Sequence, residues 1–269
     1  MSEPDNDQSI SQYWGRDDLE PAIINALAAA GKELDALTIE DLAPFDQYHP
    51  GGKGSTGRLA QLAGLTPGMS VLDVGGGLGG PARTLAVEFG CSVTVLDVTE
   101  SYVTTGHALT QRLGLEDRVK HRLGDALDLP FDNGSFDAVW TQNACMNISD
   151  KETLYAEFRR VLRPGGMLAF REPMAGPVQP LIFPVMWAED EAANFLRTPA
   201  ETQSLIETAG FRLRQWVDLT TELVQRSAPS HYSIAYLIMG ERDETLFLNG
   251  QRNEAEGRLV NAQAVFELP

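Results

Sequence analysis

A run of glycines between Gly75 and Gly80 follows a short apolar stretch that contains Asp73. Gly75, Gly77 and Gly80 have the spacing G-x-G-x-x-G, and Asp97 closes the next apolar run. Glycines let the backbone come close to a ligand, and the helix that follows offers free N–H groups. A carboxylate at the tip of the second strand can accept hydrogen bonds from both hydroxyls of a ribose. The spacing alone therefore allows an NAD(P) cofactor.

Three further features separate NAD(P) from a cofactor without a pyrophosphate. Asp73 stands two residues before the first glycine, where a carboxylate would repel a pyrophosphate but suits an ammonium group. Asp125 follows a predicted third strand, so its carboxylate can accept from an exocyclic adenine amine while Ala126 supplies a backbone N–H. The third feature is "RVLRPGG" at residues 160–166, before a predicted fifth strand.

Together these residues resemble the class I S-adenosylmethionine-dependent methyltransferases, over the chain from about Gly57 to Phe211. The resemblance implies S-adenosylmethionine as cofactor, S-adenosylhomocysteine as product and no metal. It implies that Asp97, with Val98 beside it, binds the ribose, and that Asp125 and Ala126 bind adenine. The loop from Asp73 to Gly80 would hold the methionine end, and Thr141, Gln142 and Asn143 would line the sulfonium. An NAD(P) oxidoreductase and a binding module without activity remain the alternatives.

Strands alternate with helices from Gly57 onward, which predicts βαβ units and a parallel sheet. We expect an α/β fold with a seven-stranded, Rossmann-like, mostly parallel sheet flanked by helices. The resemblance implies that the last strand, near "AQAVFEL", is antiparallel. Residues 1–57 are predicted to form an N-terminal helical cap and residues 58–269 the methyltransferase domain, with a cap-like insertion at about 173–197. "DQYHPGGKGST", before Gly57, is predicted to be a loop.

The acceptor is predicted from the cap and the insertion, which are both apolar. "YWGR", "DQYHPGG" and "FPVMWA" look like the sarcosine/dimethylglycine methyltransferase-like branch. That resemblance implies a small amine acceptor, such as sarcosine or dimethylglycine, and a betaine-type product. A hydroxyl or carbon on a secondary metabolite, phenol or sugar, is the alternative.

A general base is needed only to keep an amine neutral or to take a hydroxyl proton. His49 is the candidate, with Tyr48 beside it, although a histidine in such a loop also serves turns. Many relatives carry histidine after the fourth strand, where this chain has Asn147, which cannot act as a base. Either His49 takes that task or no base is used, as for a tertiary amine.

Aromatic faces should surround a quaternary ammonium product, because the cation is attracted to aromatic rings when water is excluded. Trp14, Tyr48 and Trp187 come from the regions expected to cover the site, although each also fits a core position. An amino-acid acceptor would need a cation for its carboxylate. The sequence does not choose among Arg171, Arg197 and Arg226.

Composition narrows the partners and the location. Acidic residues outnumber basic ones 38 to 21, giving a net charge of −17, which argues against nucleic acid or an anionic membrane surface as a partner. No apolar stretch approaches the roughly 20 residues that a membrane helix needs. The acidic start lacks targeting features, and two cysteines without C-x-x-C pairing disfavour disulfides and structural zinc. We expect a cytoplasmic protein, either monomer or homodimer.

Overall fold

The structure is a computed structural model, which describes residues 13–220, 237–238 and 240–269. The strands are β1 (Ser70–Val74), β2 (Ser92–Asp97), β3 (Val119–Leu123), β4 (Phe136–Gln142), β5 (Leu162–Ala175), β6 (Arg212–Asp218) and β7 (Leu259–Glu267). They form one seven-stranded sheet in the order β3-β2-β1-β4-β5-β7-β6. Strands β1 to β5 pair in parallel, and β7 lies antiparallel between β5 and β6. The predicted α/β class and sheet are confirmed.

Helices cover both faces of the sheet. They are α1 (Leu19–Ala29), α2 (Ile39–Asp46), α3 (Gly52–Ala63), α4 (Gly80–Glu88), α5 (Glu100–Arg112), α6 (Lys151–Val161), α7 (Pro199–Thr208) and α8 (Asp243–Ala255). One apolar core joins the sheet to α6 and α7, and a second joins the other face to α3 and α4. The central strand β4 is buried along nearly its whole length, with Phe136, Val139 and Trp140 among its apolar residues, as is usual for a parallel strand covered on both faces.

The N-terminal helices pack onto the sheet through α5 and α4. Leu19, Ile23 and Leu27 repeat at three- and four-residue spacing along α1 and are buried against Leu109 of α5. Helix α2 begins with a capping box, in which the Thr38 hydroxyl accepts from the backbone N–H of residue 41. These contacts hold the end of α2 at the carboxyl ends of the strands.

The predicted loop before Gly57 is wrong over its second half, because α3 begins at Gly52. Gly51 adopts a φ of 85° and turns the chain into the helix. The next residues form contacts that local sequence does not reveal: Lys53 pairs with Glu40, and Thr56 donates to Gln142 at 3.1 Å. Tertiary contacts therefore override the weak helix preference of glycine. The predicted boundary between residues 57 and 58 falls inside α3, and the division into cap and domain stays a prediction.

An irregular segment follows β5 and lies over the end of β4. The Tyr13 hydroxyl donates to the backbone oxygens of residues 185 and 186, at 3.3 and 3.2 Å. Asn147, in the turn after β4, donates from Nδ2 to the Trp187 carbonyl at 2.9 Å. The segment thus joins the N-terminal residues to the edge of the sheet where ligands bind in such folds. Over the described ranges, every helix is too short or too polar to cross a bilayer.

Candidate active site

A cavity opens at the carboxyl ends of β1, β2 and β4. It measures about 1080 Å³ including its open mouth. The loops after β1, β2, β3 and β4 form its floor, and residues 45–49 of the cap form part of its wall. Ligands of doubly wound sheets bind at this edge. The cavity therefore lies where the sequence predicts a cofactor.

The glycine loop brings backbone against the turn that follows β4. Gly75 has a φ of 67°, and a Cβ there would lie within 3.0 Å of the Ala144 Cβ. Gly77 has a φ of 56° and donates its backbone N–H to Asp97. Both glycines line the cavity, whereas Gly80 does not. A Cβ on Gly80 would instead meet the backbone of Asp46, so Gly80 permits close packing between α4 and α2.

Asp97 stands at the end of β2 with both carboxylate oxygens facing backbone N–H groups. Oδ2 accepts from Gly77 at 2.9 Å and Oδ1 accepts from Thr99 at 2.9 Å. Each oxygen keeps a further lone pair for a ligand hydroxyl. Burial raises the pKa of Asp97, although these hydrogen bonds oppose that shift. Val98 lines the cavity beside it.

Asp73 is the most deeply buried acid of the cavity wall, with 1% of its surface exposed. Its Oδ2 has no hydrogen-bond partner among the residues described here. Burial, with a smaller contribution from the charge of Asp97, raises the pKa of Asp73 to about 8. A cationic ligand group beside Asp73 would stabilise its ionised form.

Asp125 lies two residues beyond the end of β3, in a turn that its own side chain stabilises. Its Oδ1 accepts the backbone N–H of Leu127 at 2.8 Å. Asp125 and Ala126 both line the cavity, and Oδ2 faces no partner that competes for it in the described ranges. A carboxylate oxygen and a backbone N–H side by side suit the amine edge of a purine.

Gln142 closes β4 with its amide orientation fixed by two donors. Its Oε1 accepts from Trp140 Nε1 at 3.0 Å and from Thr56 Oγ1 at 3.1 Å. Its buried Nε2 has no partner within the described part of the chain. Because Gln142 lines the cavity, this amide group can donate to a ligand carboxylate or hydroxyl there. Asn143, the next residue, also lines the cavity, whereas Thr141 points behind it to Glu172.

These residues fit S-adenosylmethionine. Asp97 matches a ribose, Asp125 and Ala126 match adenine, and the unpartnered oxygen of Asp73 matches the ammonium of the methionine end. A pyrophosphate would instead meet two buried carboxylates near the glycine loop. These carboxylates therefore favour S-adenosylmethionine over a dinucleotide cofactor.

His49 lies in the cavity wall, in a network of neutral partners. Nε2 is 3.1 Å from Gln47 Oε1, and Nδ1 is 3.1 Å from Ser55 Oγ. Desolvation, with a smaller contribution from the charge of Arg171, lowers the pKa of His49 to about 3. The ring is therefore neutral near pH 7 and a weak proton acceptor, so its role as a base remains a prediction without support from its surroundings.

The predicted acceptor residues divide into two groups. Trp14, Tyr48 and Asn147 line the cavity, and the Trp14 and Tyr48 rings meet edge to face at 5.8 Å. The Tyr48 hydroxyl donates to Met186 Sδ at 3.2 Å. Trp187 does not line the cavity: it is 6% exposed and packs in an apolar cluster with Met146. Trp187 is thus a core residue, and its backbone oxygen orients Asn147.

The three candidate arginines differ in position. Arg171, on β5, is 1% exposed, and its charge reaches His49. Arg197 is exposed on the segment after β5. Arg226 lies outside the described residues. Of the other histidines, His231 also lies outside them, and His107 is exposed on α5. Arg171 is therefore favoured, since it is buried and its Nη1 lies 3.5 Å from Oδ1 of Asn143 in the cavity wall.

Sequence reasoning missed Tyr102 and Asp46, which both line the cavity. Tyr102 is 9% exposed, and its hydroxyl has no partner among the residues that the structure covers. Its place in the first turn of the helix after Asp97 is a signal that could have found it. Asp46 carries no such signal, because only the packing of α2 brings it to the cavity.

The charge of the cavity wall has one sign. Four acids line it (Asp46, Asp73, Asp97 and Asp125), and no lysine or arginine does so within the described ranges. Over the same part of the chain, no group of three or more histidine, cysteine or acidic residues could hold a metal ion. Asp46 is paired with the buried Arg83, and the other three acids favour a ligand with positive charge.

Comparison with known proteins agrees with this geometry. A family model described as "Methyltransferase domain" matches residues 72–170, from β1 into β5. Methyltransferase GfsG of Streptomyces halstedii is 31% identical over 188 residues, 68% of this chain and 66% of the relative. The sarcosine/dimethylglycine N-methyltransferase of Halorhodospira halochloris is 26% identical over 234 residues, 85% of this chain and 74% of the relative.

Other relatives match over the central region alone. Sterol 24-C-methyltransferase ERG6B of Gibberella zeae is 42% identical over 114 residues, 42% of this chain, so the match spans less than a third of that relative. A structure of geranyl diphosphate C-methyltransferase from Streptomyces coelicolor A3(2) covers 100% of this chain and 99% of its own, with a TM-score of 0.72 and 19% identity. That likeness shows a shared fold. The strand order, the acids at the strand ends and these matches place the chain among the class I S-adenosylmethionine-dependent methyltransferases.

Proposed function

We propose that this protein transfers the methyl group of S-adenosylmethionine to the nitrogen of a small amine, of the sarcosine or dimethylglycine type. The observation that carries the proposal is the wall of the cavity. It combines four acids with the Trp14 and Tyr48 rings and, in the described ranges, presents no basic side chain. Such a wall suits a cofactor and a product that are both cations.

The cofactor supplies a methyl carbon already activated by the sulfonium, so the protein has to align and desolvate the reactants. Asp97, Asp125 and Asp73 hold the two ends of the cofactor, which fixes the direction in which the methyl group points. Alignment of this kind contributes roughly 7–11 kcal/mol toward lowering a barrier. The rings of Trp14 and Tyr48 exclude water on the acceptor side.

The low pKa of His49 helps to decide whether the acceptor is an amine that must lose a proton. A pKa of about 3 leaves its ring neutral but a poor acceptor of protons. A tertiary amine such as dimethylglycine attacks through a free lone pair and loses no proton in the step. The surroundings of His49 therefore support the alternative in which no base acts.

An amino-acid acceptor also carries a carboxylate. Arg171 is buried behind Asn143, a residue of the cavity wall, and its charge is felt at His49. We propose that Arg171, from outside the cavity lining, supplies a long-range attraction for that carboxylate. The match to the sarcosine/dimethylglycine N-methyltransferase, over 85% of this chain, supports the same acceptor class.

A carbon acceptor on an apolar molecule is the second candidate. It is favoured by the higher identity, 42%, with the sterol 24-C-methyltransferase over the central region. The apolar wall formed by Phe45, Ile148 and Trp14 would also suit such a molecule. Carbon methylation ends in the loss of a proton, for which His49, with a pKa of about 3, is a poor acceptor.

The test is methyl transfer from labelled S-adenosylmethionine to matched acceptors. Dimethylglycine, sarcosine, glycine and dimethylaminoethanol vary methylation state and carboxylate separately, and a phenol and a sterol represent the other classes. Label in dimethylglycine but not in dimethylaminoethanol would support both the amine and the carboxylate site. Label only in phenol or sterol would overturn the amine proposal. Binding of S-adenosylhomocysteine without transfer to any acceptor would favour a module without activity.

A further inference from the structure

One face of α4 carries three residues that all contact the end of α2. Gly80, Arg83 and Thr84 lie on one side of the helix, because they are spaced three and four residues apart, and we call them the docking face. They contact Asp46 and Gln47, which directly precede the Tyr48–His49 wall of the cavity. The same helix begins at the glycine loop that meets the cofactor.

Gly80 sets how closely the two helices approach. A Cβ at this position would come within 3.0 Å of the backbone oxygen and carbon of Asp46. Real Cβ atoms do not reach such separations from backbone, so the end of α2 would have to move. The third glycine of the G-x-G-x-x-G pattern thus serves helix docking, whereas Gly75 and Gly77 serve the cavity.

Arg83 fixes the same contact through charge. Its Nη2 is 2.9 Å from Asp46 Oδ2, and both side chains are almost fully buried, with 0% and 2% exposed. Arg83 also donates to the Leu78 carbonyl at 2.6 Å and to Thr110 Oγ1 at 2.8 Å. Moving α2 away from α4 would separate Arg83 from Asp46 and leave each charge buried without its partner, which costs free energy. The ion pair therefore holds the two helices in place.

Thr84 reaches His49 through Gln47. The Thr84 hydroxyl donates to the Gly80 carbonyl at 3.2 Å, so its oxygen accepts from Gln47 Nε2 at 2.9 Å. Gln47 Oε1 therefore faces His49 Nε2 at 3.1 Å, which favours a hydrogen on Nε2. His49 Nδ1 lies 3.1 Å from Ser55 Oγ, a hydroxyl that also has the Gly52 carbonyl at 3.0 Å. The Thr84 hydroxyl thus fixes which end of the Gln47 amide meets the imidazole in the cavity wall.

We propose that the docking face positions the acceptor wall relative to the cofactor, and that Thr84 is a positioning residue acting through Gln47 on His49. This deepens the proposed function and rests on it as regards methyl transfer. Because one rigid helix carries both the glycine loop and the docking face, the separation between cofactor and wall is set within α4. The docking face itself stays out of the cavity lining.

The test compares Thr84→Val with Thr84→Ser in the full chain. Valine keeps the shape but removes the hydroxyl, and serine keeps the hydroxyl. The measurements are S-adenosylhomocysteine affinity by calorimetry, the His49 tautomer by ¹⁵N NMR of the imidazole, and kcat and KM for the amine acceptor. Gly250→Ala on α8, where an added Cβ meets nothing within 4 Å, serves as the control for a neutral helical substitution.

We expect Thr84→Val to keep the affinity for S-adenosylhomocysteine within about threefold while kcat/KM for the acceptor falls about tenfold or more, as small misplacements of a reacting wall do. Its His49 should lose the preference for the Nε2–H tautomer. Thr84→Ser should match the wild type in every measurement. An unchanged His49 tautomer in Thr84→Val, or equal loss of cofactor binding in both variants, would overturn the proposal. The NMR and binding readouts need no acceptor, so they remain decisive even if no amine is methylated.

Discussion

At the scale of single residues, Asp73 couples cofactor binding to protons. With a pKa of about 8, it is largely protonated at pH 7 before the cofactor binds. An ammonium group that pairs with Asp73 requires the carboxylate form. Cofactor binding should therefore displace the proton and depend on pH.

We predict the release of roughly half to one proton for each S-adenosylmethionine bound at pH 7, because a carboxyl group with a pKa of about 8 is mostly protonated there. Calorimetry in buffers of different ionisation enthalpy measures this number. Asp73→Asn should bind more weakly and release almost no proton. Equal proton release by the wild type and Asp73→Asn would place the ammonium elsewhere.

The same variant has a signed effect on stability without cofactor. The native state holds the Asp73 proton up to a pKa of about 8, whereas the ordinary value is 3.8, so folding is penalised increasingly as pH rises from about 4 to 8. Asp73→Asn should remove that penalty, raising the free energy of unfolding by about 1–4 kcal/mol at pH 7.5 and by little at pH 4. Thermal melts at the two pH values check the sign.

Asp97 should dominate the affinity for the ribose. We predict that Asp97→Asn weakens S-adenosylmethionine binding by about 10- to 100-fold, since hydrogen bonds to a charged acceptor contribute about 1.5–3 kcal/mol. The asparagine NH₂ would also face one of the two backbone donors that Asp97 now accepts. Asp117→Asn, at an exposed acid, is the matched control. Unchanged affinity in Asp97→Asn, measured by calorimetry, would contradict the assignment.

Residue types and spacing were enough to identify Asp73, Asp97 and Asp125 and the cavity glycines, because each lies at or just after the end of a strand, whereas Asp46 was missed. They were not enough for His49, whose character depends on burial and on Arg171, a residue far away in sequence. Trp187 likewise could not be separated from a cavity residue, since aromatic side chains suit both core and binding site.

At the scale of elements, the glycine loop and the turn after β4 are fitted to each other. We predict that Gly75→Ala abolishes tight cofactor binding, because its φ of 67° is strained for alanine and its Cβ would overlap that of Ala144. The double variant Gly75→Ala/Ala144→Gly removes the overlap and keeps the strain. It should recover part of the affinity, as measured by calorimetry, while Ala144→Gly alone should bind nearly normally. If the double variant recovered no affinity, backbone strain at residue 75 would be the whole cause of the loss.

Element boundaries were predicted well where the apolar pattern is regular and poorly where tertiary contacts decide. The run "FDAVWTQ" predicts a strand over the same residues that form β4. The segment "RPGG", which is predicted to lie before the fifth strand, is instead built into β5, where Gly165 donates to the Leu268 carbonyl at 2.8 Å. That partner lies a hundred residues further along, so no local pattern could have indicated it.

At the scale of the whole molecule, charge should discriminate between the substrate and product forms of the cofactor. The chain carries −17, and four acids line the cavity. S-adenosylmethionine has one net positive charge at neutral pH, and S-adenosylhomocysteine has none. Raising the salt concentration from 0.05 to 0.5 M should weaken the binding of the first by about two- to fivefold more than the second. Calorimetry at both salt concentrations tests this, and equal weakening would contradict it.

The sheet class followed from the alternation of strands and helices, which needs no tertiary information. The antiparallel direction of β7 was predicted from the family resemblance. The apolar pattern of "LVNAQAVFEL" indicates a strand, but it does not indicate that this strand lies between β5 and β6.

The position of β7 has a consequence for how the chain is made. Among the strands of the described residues, β7 is the sole neighbour of β6, and it also borders β5. When β6 leaves the ribosome, it therefore has no strand to pair with until Leu259–Glu267 have also been synthesised. The cofactor cavity, built on β1 to β4, draws on strands that emerge well before that. Cotranslational folding thus assembles the cavity floor first and closes the sheet last.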